Sequence, residues 1–137
     1  MDTSAYFAAA NRRDANHAMA RATMEQLILQ KHRLMTTNFI FAEMHGLMLA
    51  RGPRNVALDT IIRLKESPNT PIVRVEAQDE DRVWTIVVQY NDKDFSLIDA
   101  TSVAVMERLG IRTAFALDRH FAQFGWDVIP LAAGGSG

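Results

Sequence analysis

Cysteine is absent from the 137-residue sequence, so disulfide bonds and zinc sites built from thiolates are excluded. No apolar run approaches the roughly 20 residues that a membrane-spanning helix needs, and no signal peptide is recognisable at the start. Neither sign of charge dominates, because 15 basic and 16 acidic residues give a formal net charge of −1. The totals therefore do not indicate a nucleic-acid-binding protein, and we expect a cytoplasmic protein whose function depends on local groups.

The apolar content of 48% is enough for a buried core, and the length is usual for one domain. The apolar periodicity and the turn signals predict helices over 14–31, 38–52, 53–66, 79–90 and 96–109, and strands over 33–37, 72–77, 113–117 and 126–130. Because strands alternate with helices, the pattern predicts an α/β fold with a mostly parallel sheet. The closing residues 132–137, which include GGSG, are predicted to be a flexible or engineered tail.

The segment FIFAEMHGLML, residues 39–49, carries Glu43 among apolar side chains on every helical face. A helix that is apolar all round is typical of a protein interior, so we expect Glu43 to be buried. An unpaired buried charge costs several kcal/mol. The sequence therefore predicts a cationic partner for this carboxylate.

Three further acids can reach one edge of the predicted sheet together with Glu43. Asp118 directly follows the strand TAFAL, Asp99 lies in the first turn of the helix after Ser96, and Asp2 precedes an apolar segment. In open α/β sheets, ligands bind at the carboxyl ends of the strands. Local explanations remain open for each acid: a capping box for Asp99, a helix N-cap for Asp118, an arginine partner for Glu43 and an exposed chain end for Asp2.

Several carboxylates at one edge repel one another, and a divalent metal ion would compensate them compactly. Carboxylate oxygens suit Mg²⁺ or Mn²⁺. The four histidines show neither HxxxH nor HExxH spacing, and we expect them mainly at the surface or at helix ends. An acidic Mg²⁺ or Mn²⁺ site is suited to phosphodiester hydrolysis, because the metal activates a water molecule and offsets charge on the phosphate.

Four segments, DTSAYFAAA, TTNFIFAE, DFSLIDATSVAVMERLGI and AFALDRHF, resemble the motifs of a PIN-domain ribonuclease. More narrowly, the sequence resembles the VapC-type toxins of type II toxin–antitoxin systems, from Asp2 to about Pro130. The resemblance implies a PIN-like three-layer sandwich over residues 1–131, in which helices flank a mostly parallel sheet of four or five strands. It also implies a metal-dependent endoribonuclease that acts on RNA, has a VapB-type antitoxin as its partner and is commonly a homodimer.

The resemblance further assigns roles to individual residues. It implies that the catalytic and metal-binding residues are Asp2, Glu43, Asp99 and Asp118. Polar groups around these ligands would come from Thr3, Asn38 and Ser102. The family places a strand before its first acid, whereas only Met1 precedes Asp2 here, so we expect either a truncated start or another segment in that place, with a consequence for the position of Asp2 and for activity.

Candidate phosphate contacts near the proposed edge are Arg12, Arg13, Arg51, Arg54, Arg119 and His120. Of these, Arg12, Arg13 and Arg119 follow the acidic motifs and are the predicted RNA contacts, since guanidinium groups match phosphate geometry. The two tryptophans, Trp84 and Trp126, are expected in the core. Two other classes remain as alternatives. One is a non-catalytic PIN-like binding module, and the other is an Mg²⁺-dependent phosphoacceptor domain, which would need an acidic doublet and a suitably placed lysine.

Overall fold

The computed structural model describes residues 1–130, which fall into two compact units, one from Met1 to Val73 and the other from Arg74 onward. The predicted tail, 132–137, and the predicted domain end at residue 131 lie outside the described residues, so these boundaries stay predictions. Among the described residues, no helix combines the length and apolar character that crossing a membrane requires.

The first unit consists of four helices and one pair of parallel strands. Its elements in order are α1 (Thr3–Ala10), α2 (His17–Leu29), β1 (Thr36–Thr37), α3 (Asn38–Arg51), α4 (Arg54–Glu66) and β2 (Ile72–Val73). Thr36 pairs with Ile72 and Thr37 with Val73 in the two strands. Helix α1 packs against α2 and α3, and α3 packs against α4. The start of α1 therefore lies beside the apolar helix that carries Glu43.

The second unit pairs two helices with a second pair of parallel strands. Its elements are α5 (Ala77–Gln89), α6 (Leu97–Leu109), β3 (Thr113–Phe115), a 3₁₀ helix (His120–Phe124) and β4 (Asp127–Ile129). The register of the strands runs from Thr113 opposite Asp127 to Phe115 opposite Ile129. One apolar core joins these elements, and it includes the buried residues Ile86, Val103, Ala114, Phe121 and Val128.

The predicted helices are all present, with ends at most three residues from the predicted ones, and α1 is an additional helix. The parallel pairing confirms the α/β prediction, and the four strands are hydrogen-bonded as two pairs. Strand β2 is shorter than predicted because the backbone N–H of Glu76 donates to Asp79 at 2.8 Å. That bond turns the chain into α5 soon after Val73.

The expectation that α3 is buried on every face is wrong. Only Ile40, Met44 and Met48, spaced four residues apart, are buried. One stripe of a helix faces its neighbours even when the other stripes are apolar, and Glu43 lies off that stripe and is partly exposed. Trp84 was expected in the core, but 64% of its surface is exposed.

An ion pair between a buried carboxylate and a partly exposed arginine joins the two helices of the second unit. Asp79 on α5 is only 2% exposed, and its two carboxylate oxygens accept from Nε and a terminal nitrogen of Arg108 on α6, at 2.8 and 3.0 Å. Arg108 also donates to the carbonyl oxygen of Arg74 at 3.2 Å. Burial alone would raise the pKa of Asp79, but the hydrogen bonds from Arg108 and Glu76 and the charge of Arg108 outweigh it and lower that pKa. The pair therefore fixes α6 against the start of α5.

Candidate active site

Asp2 is held at the N-terminus of α1, where it acts as the N-cap. Its carboxylate accepts from the backbone N–H of Ser4 at 3.4 Å and from the Ser4 hydroxyl at 2.9 Å. A carboxylate at this end of a helix is also favoured by the helix dipole. Asp2 is 6% exposed, so its carboxylate is buried at the start of α1, as predicted.

Thr3 and Glu43 come together across α1 and α3, although 40 positions separate them along the chain. The Thr3 hydroxyl donates to Oε1 of Glu43, and Thr3 itself is buried. Glu43 is partly exposed, so it keeps oxygen lone pairs for another partner. The hydroxyl therefore orients the carboxylate without occupying it.

The junction of β1 and α3 supports this side of the site. The Thr37 hydroxyl caps α3 by accepting from the N–H of Ile40 at 3.1 Å, and Asn38 is the first residue of the helix. Beside β1, the backbone nitrogen of Met1 lies 2.6 Å from the carbonyl oxygen of Met35. The residue that precedes Asp2 is thus hydrogen-bonded alongside β1, where the resemblance implied a strand.

In the second unit, Asp99 forms the predicted capping box with Ser96. The Ser96 N–H donates to Oδ2 of Asp99 at 3.0 Å, and the Asp99 N–H donates to the Ser96 hydroxyl at 3.1 Å. Asp99 is 6% exposed. The local explanation is therefore correct, and it leaves the other oxygen of the carboxylate available. Ser102 lies three residues further along α6, on the same helical face.

His120 links the two acids of the second unit, a role that its sequence context did not predict. Its Nδ1 lies 2.8 Å from Oδ2 of Asp99 and 3.7 Å from Oδ1 of Asp118, and its backbone N–H donates to Asp118 at 3.2 Å. The buried ring of Phe121 anchors this turn. The Asp118 side chain thus accepts from the first N–H of the 3₁₀ helix, close to the capping role of the local alternative, although Arg119 is the N-cap residue.

The environment of His120 favours its protonated form. Burial alone would lower the pKa of His120, but the hydrogen bond to Asp99 and the charges of Asp118, Asp99 and Asp94 outweigh burial and raise it. The imidazolium supplies positive charge to carboxylates that would otherwise repel one another. The partners of His120 lie 21 and 2 positions away in the sequence. These separations match no known motif, so the sequence alone could not indicate its role.

The three arginines proposed for phosphate binding are exposed. Arg12 and Arg13 lie in the turn between α1 and α2, where the Asn11 side chain accepts from the Arg13 N–H at 3.1 Å. Arg119 lies between Asp118 and the 3₁₀ helix of the second unit. Exposure leaves all three available to a ligand, and their role in RNA binding stays a prediction.

The donor chemistry of the predicted ligands fits a hard divalent cation, since Asp2, Glu43, Asp99 and Asp118 offer only carboxylate oxygens. Two of these carboxylates, Asp2 and Asp99, are buried, and a nearby positive charge would offset the cost of burying them. Within residues 1–130, however, no group of three or more His, Asp or Glu side chains is arranged as a ready-made metal site. The structure thus brings Thr3 together with Glu43 in the first unit, and His120 together with Asp99 and Asp118 in the second. Each group contains only some of the predicted site residues.

Comparison with other proteins gives concordant matches over almost the whole chain. The family model described as "PIN domain" matches residues 1–127. The "23S rRNA-specific endonuclease VapC20" of Mycobacterium tuberculosis, in strains CDC 1551 / Oshkosh and ATCC 25618 / H37Rv, is 33% identical over 130 residues, which are 92% of this chain and 93% of the relative. The crystal structure of Mycobacterium tuberculosis VapC20, described as a "Sarcin-Ricin loop cleaving toxin", superposes with a TM-score of 0.80 at 30% identity and covers 91% of this chain and 93% of that one.

Proposed function

Because the chain belongs to the PIN domain family, we propose that it is a metal-dependent endoribonuclease toxin that cuts the sarcin–ricin loop of 23S rRNA. The family and its similarity to a toxin endonuclease confirm the predicted enzyme class, a ribonuclease of the toxin type. The observation that carries the substrate proposal is the 33% identity to an rRNA-specific endonuclease over 92% of the chain. The family model, which matches residues 1–127, spans every predicted site residue.

In this proposal, Asp2, Glu43, Asp99 and Asp118 hold Mg²⁺ or Mn²⁺. When bound, the ion activates a water molecule and offsets negative charge on the scissile phosphate. The residues of the chain orient these ligands: Ser4 holds Asp2, and Thr3 holds Glu43. Such hydrogen bonds fix the direction of the oxygen lone pairs before a ligand arrives.

The second unit contributes a fixed carboxylate and a cation beside it. Ser96 holds Asp99 at the start of α6, so its free oxygen keeps one direction. His120 keeps Asp99 and Asp118 together against their mutual repulsion. Arg119 follows Asp118 directly and would hold a phosphate oxygen of the RNA.

The proposal also includes the partners and the compartment. A VapB-type antitoxin would neutralise the toxin, and two copies of the chain would form a homodimer. Both expectations rest on the resemblance to VapC-type toxins and on the similarity to VapC20. A toxin that cuts ribosomal RNA works in the cytoplasm, where ribosomes are.

Sequencing of RNA 5′ ends after brief expression of the chain tests the substrate. We expect one dominant new end within the sarcin–ricin loop of 23S rRNA. New ends spread over messenger or transfer RNAs would overturn the choice of substrate while keeping the nuclease. An unchanged map of 5′ ends would favour the non-catalytic PIN-like module instead.

The Thr3→Val variant tests the orienting hydrogen bond. Valine is close in shape to threonine but cannot donate to Glu43, so we expect RNA cleavage to fall roughly 10- to 100-fold. The free energy of unfolding should change by only about 1 kcal/mol. The matched control is Thr23→Val, which removes an exposed hydroxyl that bonds the Met19 carbonyl oxygen. Equal rates for the two variants in a cleavage assay would remove Thr3 from the site.

A further inference from the structure

A pocket of about 420 Å³ opens in the first unit at the C-terminal ends of α1 and α3. Its apolar surface comes from Phe7, Met48 and Val56. Its cationic surface comes from Arg12, Arg13 and Arg51. A volume of this size suits a small ligand or a single group of a larger one.

The described lining of the pocket is positively charged. Its lining, as far as the structure describes it, contains no aspartate or glutamate. Within residues 1–130, none of its three arginines forms an ion pair, whereas Arg21 pairs with Glu25 and Arg63 with Asp59 elsewhere in the same unit. Three unneutralised guanidinium groups in one pocket favour an anion, and guanidinium forks match the geometry of phosphate.

Arg51 makes a cation–π contact with an aromatic ring. Its guanidinium carbon lies 5.2 Å from the centre of the Phe7 ring. Phe7 is 7% exposed, so its ring is covered, whereas Arg51 is exposed. A cation–π contact of this kind holds the guanidinium group near the ring. Arginine planes and aromatic rings are the surfaces on which proteins stack unpaired RNA bases.

The pocket lies a short distance from the proposed ligands of the first unit. Thr3 contacts Glu43, and Phe7 contacts Arg51, so α1 and α3 run in the same direction. Phe7 is about 6 Å along α1 from Thr3, and Arg51 is about 12 Å along α3 from Glu43, at 1.5 Å per residue. Separations of about 6 to 12 Å place the pocket within reach of the same RNA strand as the proposed ligands.

We propose that this pocket binds one nucleotide of the substrate RNA, a few positions from the cut. The base stacks on Arg51, which Phe7 positions, and Arg12 and Arg13 hold the adjoining phosphates. The inference rests on the proposed function, since it takes the ligand to be the RNA that is cleaved. An acidic protein segment would satisfy the charges, but it supplies no planar base to stack on the Arg51 guanidinium, so RNA is the better match.

The test measures the binding of a fluorescein-labelled, single-stranded RNA to the full chain by anisotropy, in EDTA to prevent cleavage. A series of RNAs of the same sequence is compared, and each RNA carries a single abasic site at a different position. For the wild-type chain, loss of one particular base should weaken binding about tenfold, as loss of a stacked base does. The Arg51→Lys variant keeps the positive charge but lacks the planar guanidinium group. We therefore expect this variant to bind the intact RNA and the abasic RNA equally weakly.

The phosphate contacts have their own readout. Arg12→Gln combined with Arg13→Gln should weaken binding to every RNA of the set and lower the salt dependence, log K against log salt, by about 1.4. Arg21→Gln removes an exposed charge from α2 and is the matched control, expected to bind as the wild type does. Thermal melting of each variant checks that the fold is retained.

Three results would overturn the proposal. The first is an Arg51→Lys variant that still distinguishes the abasic RNA, or a wild type with no sensitive position. The second is displacement of the RNA by poly-L-glutamate as readily as by unlabelled RNA, which would assign the pocket to an acidic protein segment. The third is a wild type that neither binds nor cleaves RNA, and only this result also refutes the proposed function.

Discussion

The Asp99→Asn variant should cleave RNA at least about a hundredfold more slowly than the wild type while keeping its fold. Asparagine loses the charge that holds a divalent cation, and the several kcal/mol of transition-state stabilisation that a metal provides correspond to two or more powers of ten in rate. The amide oxygen can still accept from the Ser96 N–H, so the capping of α6 survives. The rate is measured on purified RNA, and the fold by thermal melting.

Asp127→Asn is the matched control for this variant, because Asp127 is an exposed acid of the same unit, at the start of β4. It should cleave at the wild-type rate. An Asp99→Asn variant that does so too would show that Asp99 caps a helix and nothing more. In that case, the local explanation from the sequence would be complete.

The Asp79→Asn variant should lose about 1.5–3 kcal/mol of unfolding free energy, because it removes the charged hydrogen bonds between a buried carboxylate and Arg108. The melting temperature should fall by roughly 5–10 °C. The control is Glu107→Gln, which breaks the exposed pair of Glu107 and Arg82 between the same two helices. That change should cost only about 0–1 kcal/mol, and equal losses for the two variants would contradict the importance of burial.

The same pair makes a pH-dependent contribution. The folded state lowers the pKa of Asp79, so its contribution to stability is fully present above the ordinary aspartate pKa, near 3.9. It is lost as the pH falls through the lower folded-state pKa. The stability difference between wild type and Asp79→Asn should therefore be constant near neutral pH and narrow in acid, as denaturant titrations at each pH would measure.

Local features of this chain were predictable from sequence, and contacts between distant segments were not. Ser96 with Asp99 and Gly110 at the end of α6 follow from capping rules that act within one turn. The pair of Asp79 with Arg108 spans 29 positions and leaves no local pattern. Thr3 with Glu43 spans 40 positions, and only the resemblance to a family indicated that both belong to one site.

Tertiary packing also explains where the structure differs from the sequence-based predictions. The composition of α3 predicted burial, but neighbours cover just the stripe of Ile40, Met44 and Met48. Glu43 therefore needs no cation to be tolerated, and its role rests on its contact with Thr3 rather than on burial. His120 lies at a helix end, as expected, since it is the first residue of the 3₁₀ helix, but the link that its ring makes between two carboxylates was not predicted. Burial and pairing are set by tertiary packing, which periodicity does not encode.

The measurement that tests the account most directly is cleavage of purified ribosomes by the metal-stripped chain. The account predicts no cut in EDTA and a cut in the sarcin–ricin loop of 23S rRNA once Mg²⁺ or Mn²⁺ is restored, with no such recovery for Asp99→Asn. Cleavage at the full rate in EDTA would contradict it, because carboxylates alone cannot supply the activated water and the positive charge that the proposed reaction needs.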